Sequence, residues 1–326
     1  MKIAISYDSD GWAWHKRAAG ISKYAPKGMQ VDAIRQDVLN KSDAVYDIVL
    51  HQSWGECRPH GRHGANWTMV ASEGLLYNIR PQSKHLPQRT ASVTKNKTLA
   101  HRKLRNFDGV ICINENAIDF CKSINPNTHW LKTAVDDEVY YPESHTKDSD
   151  DIRIGWCGKR PVGSRWTPKG FDEVLIPLSK SSDLIERITW CINSRTAENA
   201  MDGESMRAWY NSLDLFLVTS TCEGTPSTLL EAMACGIPVV STDVGIAKRA
   251  LCMTQSGNAA GVVVDGYTTE DEIRGTIDAI HDALVMVNRE WCIANGRACA
   301  TIIRECGWTW KVQSPRWIET MIRNSR

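Results

Sequence analysis

Short apolar runs recur along this chain, each followed by a polar loop and a segment of helical pattern, and that alternation narrows the fold more than any other feature. In the first half Lys2–Tyr7, Asp47–Leu50, Trp67–Ala71, Gly109–Ile113 and Trp130–Thr133 read as strands. A helix is expected from about Trp12 to Tyr24, ended by Pro26, and another from near Asn114. Strands that alternate with helices favour a parallel sheet covered on both faces. The polar segment Pro142–Asp151 (PESHTKDSDD) breaks the pattern and reads as a linker. The alternation then restarts, with strands expected at Ile152–Cys157, Arg187–Ile192, Leu213–Val218, Pro238–Thr242 and Gly261–Val264. Helices are expected at Ser227–Cys235 and Thr269–Val287, and one or two more in the tail from Trp308. The chain therefore divides into two doubly wound α/β halves, residues 1–146 and 147–308, followed by a terminal helix, 309–326. Sheets of this kind take ligands at the carboxyl ends of their strands.

Composition excludes several classes. The 326 residues suit two domains at roughly 150 residues each. Hydrophobic residues make up 42% and charged residues 24%, which rules out a largely disordered chain. Eleven cysteines form no C-x-x-C pair and number oddly, so neither a disulfide framework nor a zinc knuckle is expected. They read as small buried hydrophobes in a reducing compartment. No signal peptide is legible in MKIAISYDSDG, and no run approaches the ~20 apolar residues that span a bilayer. A cytoplasmic location is the expectation.

The densest chemistry lies in Leu213–Leu251, LDLFLVTSTCEGTPSTLLEAMACGIPVVSTDVGIAKRAL. A buried strand ends near Ser220, and Thr225-Pro226-Ser227 opens an amphipathic helix with Ser227 as the expected N-cap. Gly236-Ile237-Pro238 ends it. Free N–H groups and the dipole make such a helix start an anion site. Glu223 precedes the helix and Glu231 lies within it, spaced E-x7-E. A helical Glu beside the small residues Ala232, Ala234 and Gly236 needs a partner, because an unpaired buried charge is costly.

This stretch resembles the donor-site signature of retaining GT-B glycosyltransferases of the family 4 type, E-G-x-P-x-x-x-x-E-A-M-A-x-G-x-P-V-V. The resemblance implies a GT-B fold, two doubly wound Rossmann-like domains facing a central cleft, with the last helix packing back on the N-terminal domain. It implies that Glu223 and the amides after it hold the donor sugar, that Glu231 holds the ribose, that the helix-start amides near Ser227, Thr228 and Leu229 face the diphosphate, and that Gly224, Thr225 and Pro226 belong to the same donor site. Upstream, Ile154–Lys159 followed by Pro168-Lys169-Gly170 is similar to the family's strand, Gly-Arg, Lys-Gly arrangement, whose two cations neutralise the diphosphate. Gly158 and Lys169 match directly; Lys159 stands where Arg is usual, and Arg160 beside it is the alternative. Phe107–Tyr141 resembles the strand, helix and N-G-V-D run of the family, with Asn114 and Ala134 in place of Ser and Gly.

In the loop after the first strand, Gly11 and Trp12 stand where the family has glycines near the donor phosphates. The family's histidine after the second strand corresponds to His51, or by a shift of one to Gln52; after the third strand Glu73 stands in place of a histidine, as a candidate base. The catalytic candidates are thus Glu223, Lys169, Lys159, Glu73 and His51. Two D-x-D pairs, Asp8-Ser9-Asp10 and Asp148-Ser149-Asp150, fall outside the places expected of metal sites, and Arg58–His63 reads as a polar loop. No metal and no cofactor is expected, only a nucleotide-diphosphate sugar as co-substrate, a UDP-sugar first among them.

The net charge is +1, yet residues 57–107 carry six Arg and four Lys against one acid, Glu73. A localised basic face in the expected acceptor half suits a polyanion, with Arg80, Lys84, Arg89, Lys95, Lys97 and Arg102 as acceptor contacts. DNA bearing a hydroxymethylated base is one acceptor; an anionic lipid or a glycan is the other. A flipped base would need stacking platforms, for which Trp12, Trp14, Trp54 and Trp67 are candidates if they are not core. A non-catalytic nucleic-acid-binding protein on the same scaffold is the reading from another class.

Overall fold

The N-terminal sheet is built on strands that bury both faces. In the computed structural model β1 spans Lys2–Tyr7, followed by α1 (Ala13–Lys23), β2 (Gln30–Arg35), α2 (Gln36–Lys41), β3 (Ile48–His51) and β4 (Ala65–Val70). Then come β5 (Gly109–Cys112), a 3-10 turn (Glu115–Ala117), α3 (Ile118–Ile124) and β6 (Thr128–Trp130). The structure describes residues 1–55, 57–70, 98–143, 151–158, 169–185, 188–194, 201–251, 259–267 and 270–325. Every residue of β3, β4 and β5 is buried, which is why these strands are mainly apolar, with His51, Asn66 and Thr68 as buried polar exceptions. All pairings are parallel, in the order β2-β1-β3-β4-β5-β6.

One strand was not legible. Gln30–Arg35 forms the edge strand β2, so Asp47–Leu50 supplies the third strand and not the second. Its sequence, QVDAIR, has a polar residue at each end and Asp32 inside; an edge position with half-exposed faces tolerates them.

The C-terminal sheet follows the same plan. β7 (Ile152–Gly158) leads through a π-helical turn (Phe171–Leu175), α4 (Ile176–Ser179) and α5 (Ser182–Ile185) to β8 (Ile188–Ser194). Next come α6 (Gly203–Asn211), β9 (Leu215–Val218), α7 (Ser227–Ala234), β10 (Val239–Thr242), α8 (Ala247–Ala250) and β11 (Gly261–Val264). Two long helices, α9 (Glu270–Met286) and α10 (Arg289–Glu305), complete it. The parallel order is β8-β7-β9-β10-β11. Leu215, Leu217, Val240, Ile280 and Leu284 form part of its core.

The chain divides into Met1–Asp136 with Trp308–Arg326, and Asp137–Gly307. The last helix, α11 (Trp310–Arg323), lies on α1. Gly20 makes that approach possible, since a Cβ there would stand 2.3 Å from the Trp310 ring. Trp317 is fully buried and donates its Nε1–H to Lys132 O at 2.7 Å, and Ser314 Oγ donates to Ile21 O at 2.6 Å. Pro142 and Glu143, read as the start of the linker, belong to the C-terminal unit. The Glu143 N–H donates to Asn211 Oδ1 at 2.8 Å and its carboxylate accepts from Arg207 Nε at 2.7 Å. Residues 144–150 of the linker, with Asp148 and Asp150, lie outside the described residues. Among the described residues no helix is long and apolar enough to cross a membrane.

Each sheet grows outward in both directions from its first strand. The chain therefore reverses between β1 and β3 in one unit and between β7 and β9 in the other. At such a switch point the loops part and leave a crevice at the strand ends.

Candidate active site

In the C-terminal unit the switch point gathers residues from four segments. Trp156, two residues from the end of β7, donates its Nε1–H to Thr219 Oγ1 at 3.0 Å. Thr219 Oγ1 donates to the Lys169 carbonyl at 2.7 Å, which ties the 169–170 turn to the end of β9. Gly170 has φ +64°, and a Cβ there would stand 2.1 Å from Thr219 O and 2.5 Å from the Tyr267 hydroxyl. Only glycine fits both the left-handed backbone and the space. Gly158 is the last residue of β7; a Cβ on it would stand 3.3 Å from Lys169 Cγ.

This anchoring presents the Lys169 ammonium to the Glu223 carboxylate, and the two form an ion pair. Ser220 Oγ donates to the same Glu223 oxygen at 2.9 Å. The pair is partly exposed, at 30% for the Lys169 side chain and 13% for Glu223, so both groups remain reachable from solvent. Two residues that the sequence expected near one diphosphate sugar are thus in contact, although 54 positions apart.

Beside them α7 begins, and here one expectation is corrected. Ser227 is the first helical residue and not the cap; Pro226 occupies the cap position with φ −66°, and no side chain caps the helix. Proline fixes that φ but has no side-chain acceptor to offer. The helix start therefore keeps its electropositive amides without a built-in anion. Thr225 Oγ1, just upstream, is buried and has no hydrogen-bond partner among the described residues. The other end of α7 closes as expected: Gly236, at φ +75°, and Ile237 donate N–H groups to Met233 O (3.0 Å) and Ala232 O (3.0 Å), a Schellman pair.

Glu231 is 2% exposed and accepts from the Tyr210 hydroxyl at 3.0 Å, which supplies the partner that its burial demands. Burial and the Glu231 charge push the neighbouring Cys235 thiol upward in pKa. Sequence reasoning missed Tyr210, Thr219, Tyr267 and Gly245. A Cβ on Gly245 would stand 2.4 Å from Gly224 O, so this residue lets the β10 loop back the Glu223–Gly224 turn. Only its D-V-G context hinted at a turn; the others sit at no fixed spacing from the motif.

In the N-terminal unit the expectations fare unevenly. Gly11 adopts φ +77° and donates its N–H to His15 Nδ1 at 2.9 Å; Trp12 stands at the N-cap of α1. Asp10 accepts from the Tyr7 hydroxyl at 2.9 Å. His51, expected as a catalytic candidate, is 1% exposed. Its Nδ1 lies 3.1 Å from Gln36 Oε1 and its Nε2 3.3 Å from Asn66 Oδ1. Burial pushes its pKa down to about 4, which keeps the ring neutral inside the sheet. The neighbouring Gln52 is buried too, at 2% exposure. It lines a cavity of about 420 Å³ with Asp8, Trp14, Arg35, Asp37 and Asn40. Trp67 is fully buried in the core and is no stacking platform.

Several expected residues fall outside the described part: Lys159 and Arg160, Glu73, and the basic residues Arg80, Lys84, Arg89, Lys95 and Lys97. Arg102, in the helical run 98–104, is exposed.

Residues 180–298 match the family described as "Glycosyl transferases group 1". A D-inositol 3-phosphate glycosyltransferase of Paenarthrobacter aurescens (strain TC1) is 34% identical over 103 residues, covering 32% of this chain and 23% of that protein. The lipopolysaccharide core biosynthesis mannosyltransferase LpsB of Rhizobium meliloti (strain 1021) is 38% identical over 71 residues, 22% of this chain and 18% of its own. The matched stretch spans about a fifth of the length of these relatives. Solved structures match along the whole chain at low identity. Sucrose-phosphate synthase from Thermosynechococcus elongatus has a TM-score of 0.67 at 13% identity, covering 99% of this chain and 98% of that one. The catalytic domain of starch synthase IV from Arabidopsis thaliana, bound to ADP and acarbose, has 0.64 at 9%, covering 99% of both. Anabaena Alr3699/HepE in complex with UDP and glucose has 0.61 at 13%, also covering 99% of both. The fold is therefore GT-B, two parallel-sheet Rossmann-like α/β domains.

Proposed function

We propose that this chain is a retaining glycosyltransferase that moves a sugar from a nucleotide-diphosphate donor, a UDP-sugar first, to an acceptor hydroxyl. The observation that carries the reading is the Lys169–Glu223 pair beside the uncapped start of α7. Glu223 accepts sugar hydroxyls, Lys169 and the amides of Ser227–Leu229 take the diphosphate, and Glu231, held by Tyr210, takes the ribose. Gly158, Gly224, Thr225 and Pro226 shape the surface between them, and Lys159 or Arg160 adds a second cation.

In the reaction the bond from C1 of the sugar to the phosphate oxygen breaks and its electron pair leaves with the diphosphate. The acceptor oxygen bonds to C1 on the same face, and its proton passes to a phosphate oxygen. Lys169 and the helix-start amides stabilise the leaving charge, so the step asks for no metal. Retention rests on the resemblance of E-G-T-P-x-x-x-x-E to the family 4 signature; no side chain is assigned as a nucleophile. The acceptor reading divides between a glycan or anionic lipid, which the similarity to a lipopolysaccharide core mannosyltransferase favours, and DNA, which the ten cations of 57–107 favour.

The test is hydrolysis and transfer with UDP-, GDP- and ADP-hexoses. Glu223→Ala and Lys169→Ala each remove a charged contact and should lower kcat by about 10²–10³ while the fold is kept. If wild-type protein neither binds nor turns over any nucleotide sugar but retains DNA, the non-catalytic reading replaces this one.

A further inference from the structure

The cavity in the N-terminal unit carries information on the acceptor. It encloses about 420 Å³ at the carboxyl ends of β1, β2 and β3, within the range of small-molecule sites. Its charge is not that of a phosphate site. Among the described residues Arg35 is the single cation in the lining, and its Nε and Nη2 are spent on Asp37 at 3.0 and 2.9 Å. A second carboxylate, Asp8, has no partner among the described residues. A phosphodiester entering here would meet an excess of negative charge among the described residues.

The groups left over are those that recognise hydroxyls. Asp8 accepts. Asn40 gives its oxygen to Gln36 Nε2 at 2.9 Å and keeps its own NH₂ to donate. Trp14 adds an indole, half-buried at the rim, of the kind that covers the apolar face of a sugar ring. The wall is also fixed in advance. Buried Arg17 donates to Gln52 Oε1 at 2.8 Å, and Gln52 Nε2 donates to Trp14 O at 2.8 Å, so little side-chain freedom remains to be lost on binding.

We propose that this cavity binds a neutral sugar ring, and that the acceptor is a neutral glycan unit rather than a polyanion. The proposal rests on the glycosyltransferase reading for its use in a reaction, but the binding it asserts is tested separately. Saturation-transfer NMR on the full chain with methyl glucoside, methyl galactoside and methyl mannoside should show signal for at least one. Asn40→Trp, which fills the cavity, should reduce it at least tenfold. Asp8→Ala, at an exposed loop position, should weaken the same signal and serves if Asn40→Trp does not fold. The proposal is overturned if no hexoside gives a signal sensitive to either change, or if a DNA duplex competes for the cavity. Calorimetry with nucleotide hexoses is the separate readout: its failure in wild-type protein removes the enzyme reading and leaves the hexoside result to decide the cavity.

Discussion

Replacing Gly170 by alanine should damage stability and site together, because this glycine holds the turn that carries Lys169. Its φ of +64° costs an L-residue about 1–2 kcal/mol. The added Cβ would also stand 2.1 Å from Thr219 O and 2.5 Å from the Tyr267 hydroxyl. The first is backbone at the end of β9 and cannot swing aside, so overpacking adds about 1–3 kcal/mol. The sum, about 2–5 kcal/mol, corresponds to a fall in melting temperature of about 5–15 °C for a unit of this size. The control is Gly275→Ala in α9, where a Cβ meets nothing within 4 Å. There alanine should be neutral or stabilise by about 1 kcal/mol. Thermal melts followed by circular dichroism separate the two, and calorimetry with the donor reads the displaced Lys169. If Gly170→Ala melts within 2 °C (roughly 1 kcal/mol) of wild type and binds donor equally, the anchoring ascribed to this turn is wrong.

Acid should expose the buried histidine. His51 has its pKa lowered from 6.5 to about 4, so the unfolded chain binds its proton first. The contribution is complete above pH 6.5 and is lost as pH falls from there toward 4, to a total on the order of 3 kcal/mol. Urea titrations at pH 7, 6 and 5 should show a shallower loss in His51→Gln than in wild type; parallel curves would refute it. Tyr210→Phe removes the hydroxyl that Glu231 accepts. It should cost about 1.5–3 kcal/mol and raise the Kd for nucleotide at least tenfold, and a variant with unchanged nucleotide affinity would take Glu231 out of the ribose site.

Reading from the sequence worked where a residue's environment is local. β3, β5 and β9 are sealed on both faces, so nearly every position had to be apolar, His51 at the end of β3 being the exception, and the strand was visible. β2 was not, because an edge strand answers to a single neighbour and carries Asp32 without penalty. The stop of α7 at Gly236 was legible for the same reason, since a left-handed C′ residue is a matter of backbone alone. Its start was not, because whether Pro226 or Ser227 takes the cap depends on how the loop from β9 arrives.

For the site the division is the same. The order of residues along the chain determined that Glu223 precedes a helix start, that Glu231 lies inside that helix, and that Lys169 follows a strand. Only the folded chain decided that Lys169 meets Glu223, that the Tyr210 hydroxyl donates to Glu231, and that His51 is sealed between Gln36 and Asn66. Periodicity and capping act over a few residues and are written in the sequence. Contacts across 54 positions, and the burial that sets a side chain's charge, arise from how parallel strands are ordered in the sheet, which no local pattern encodes.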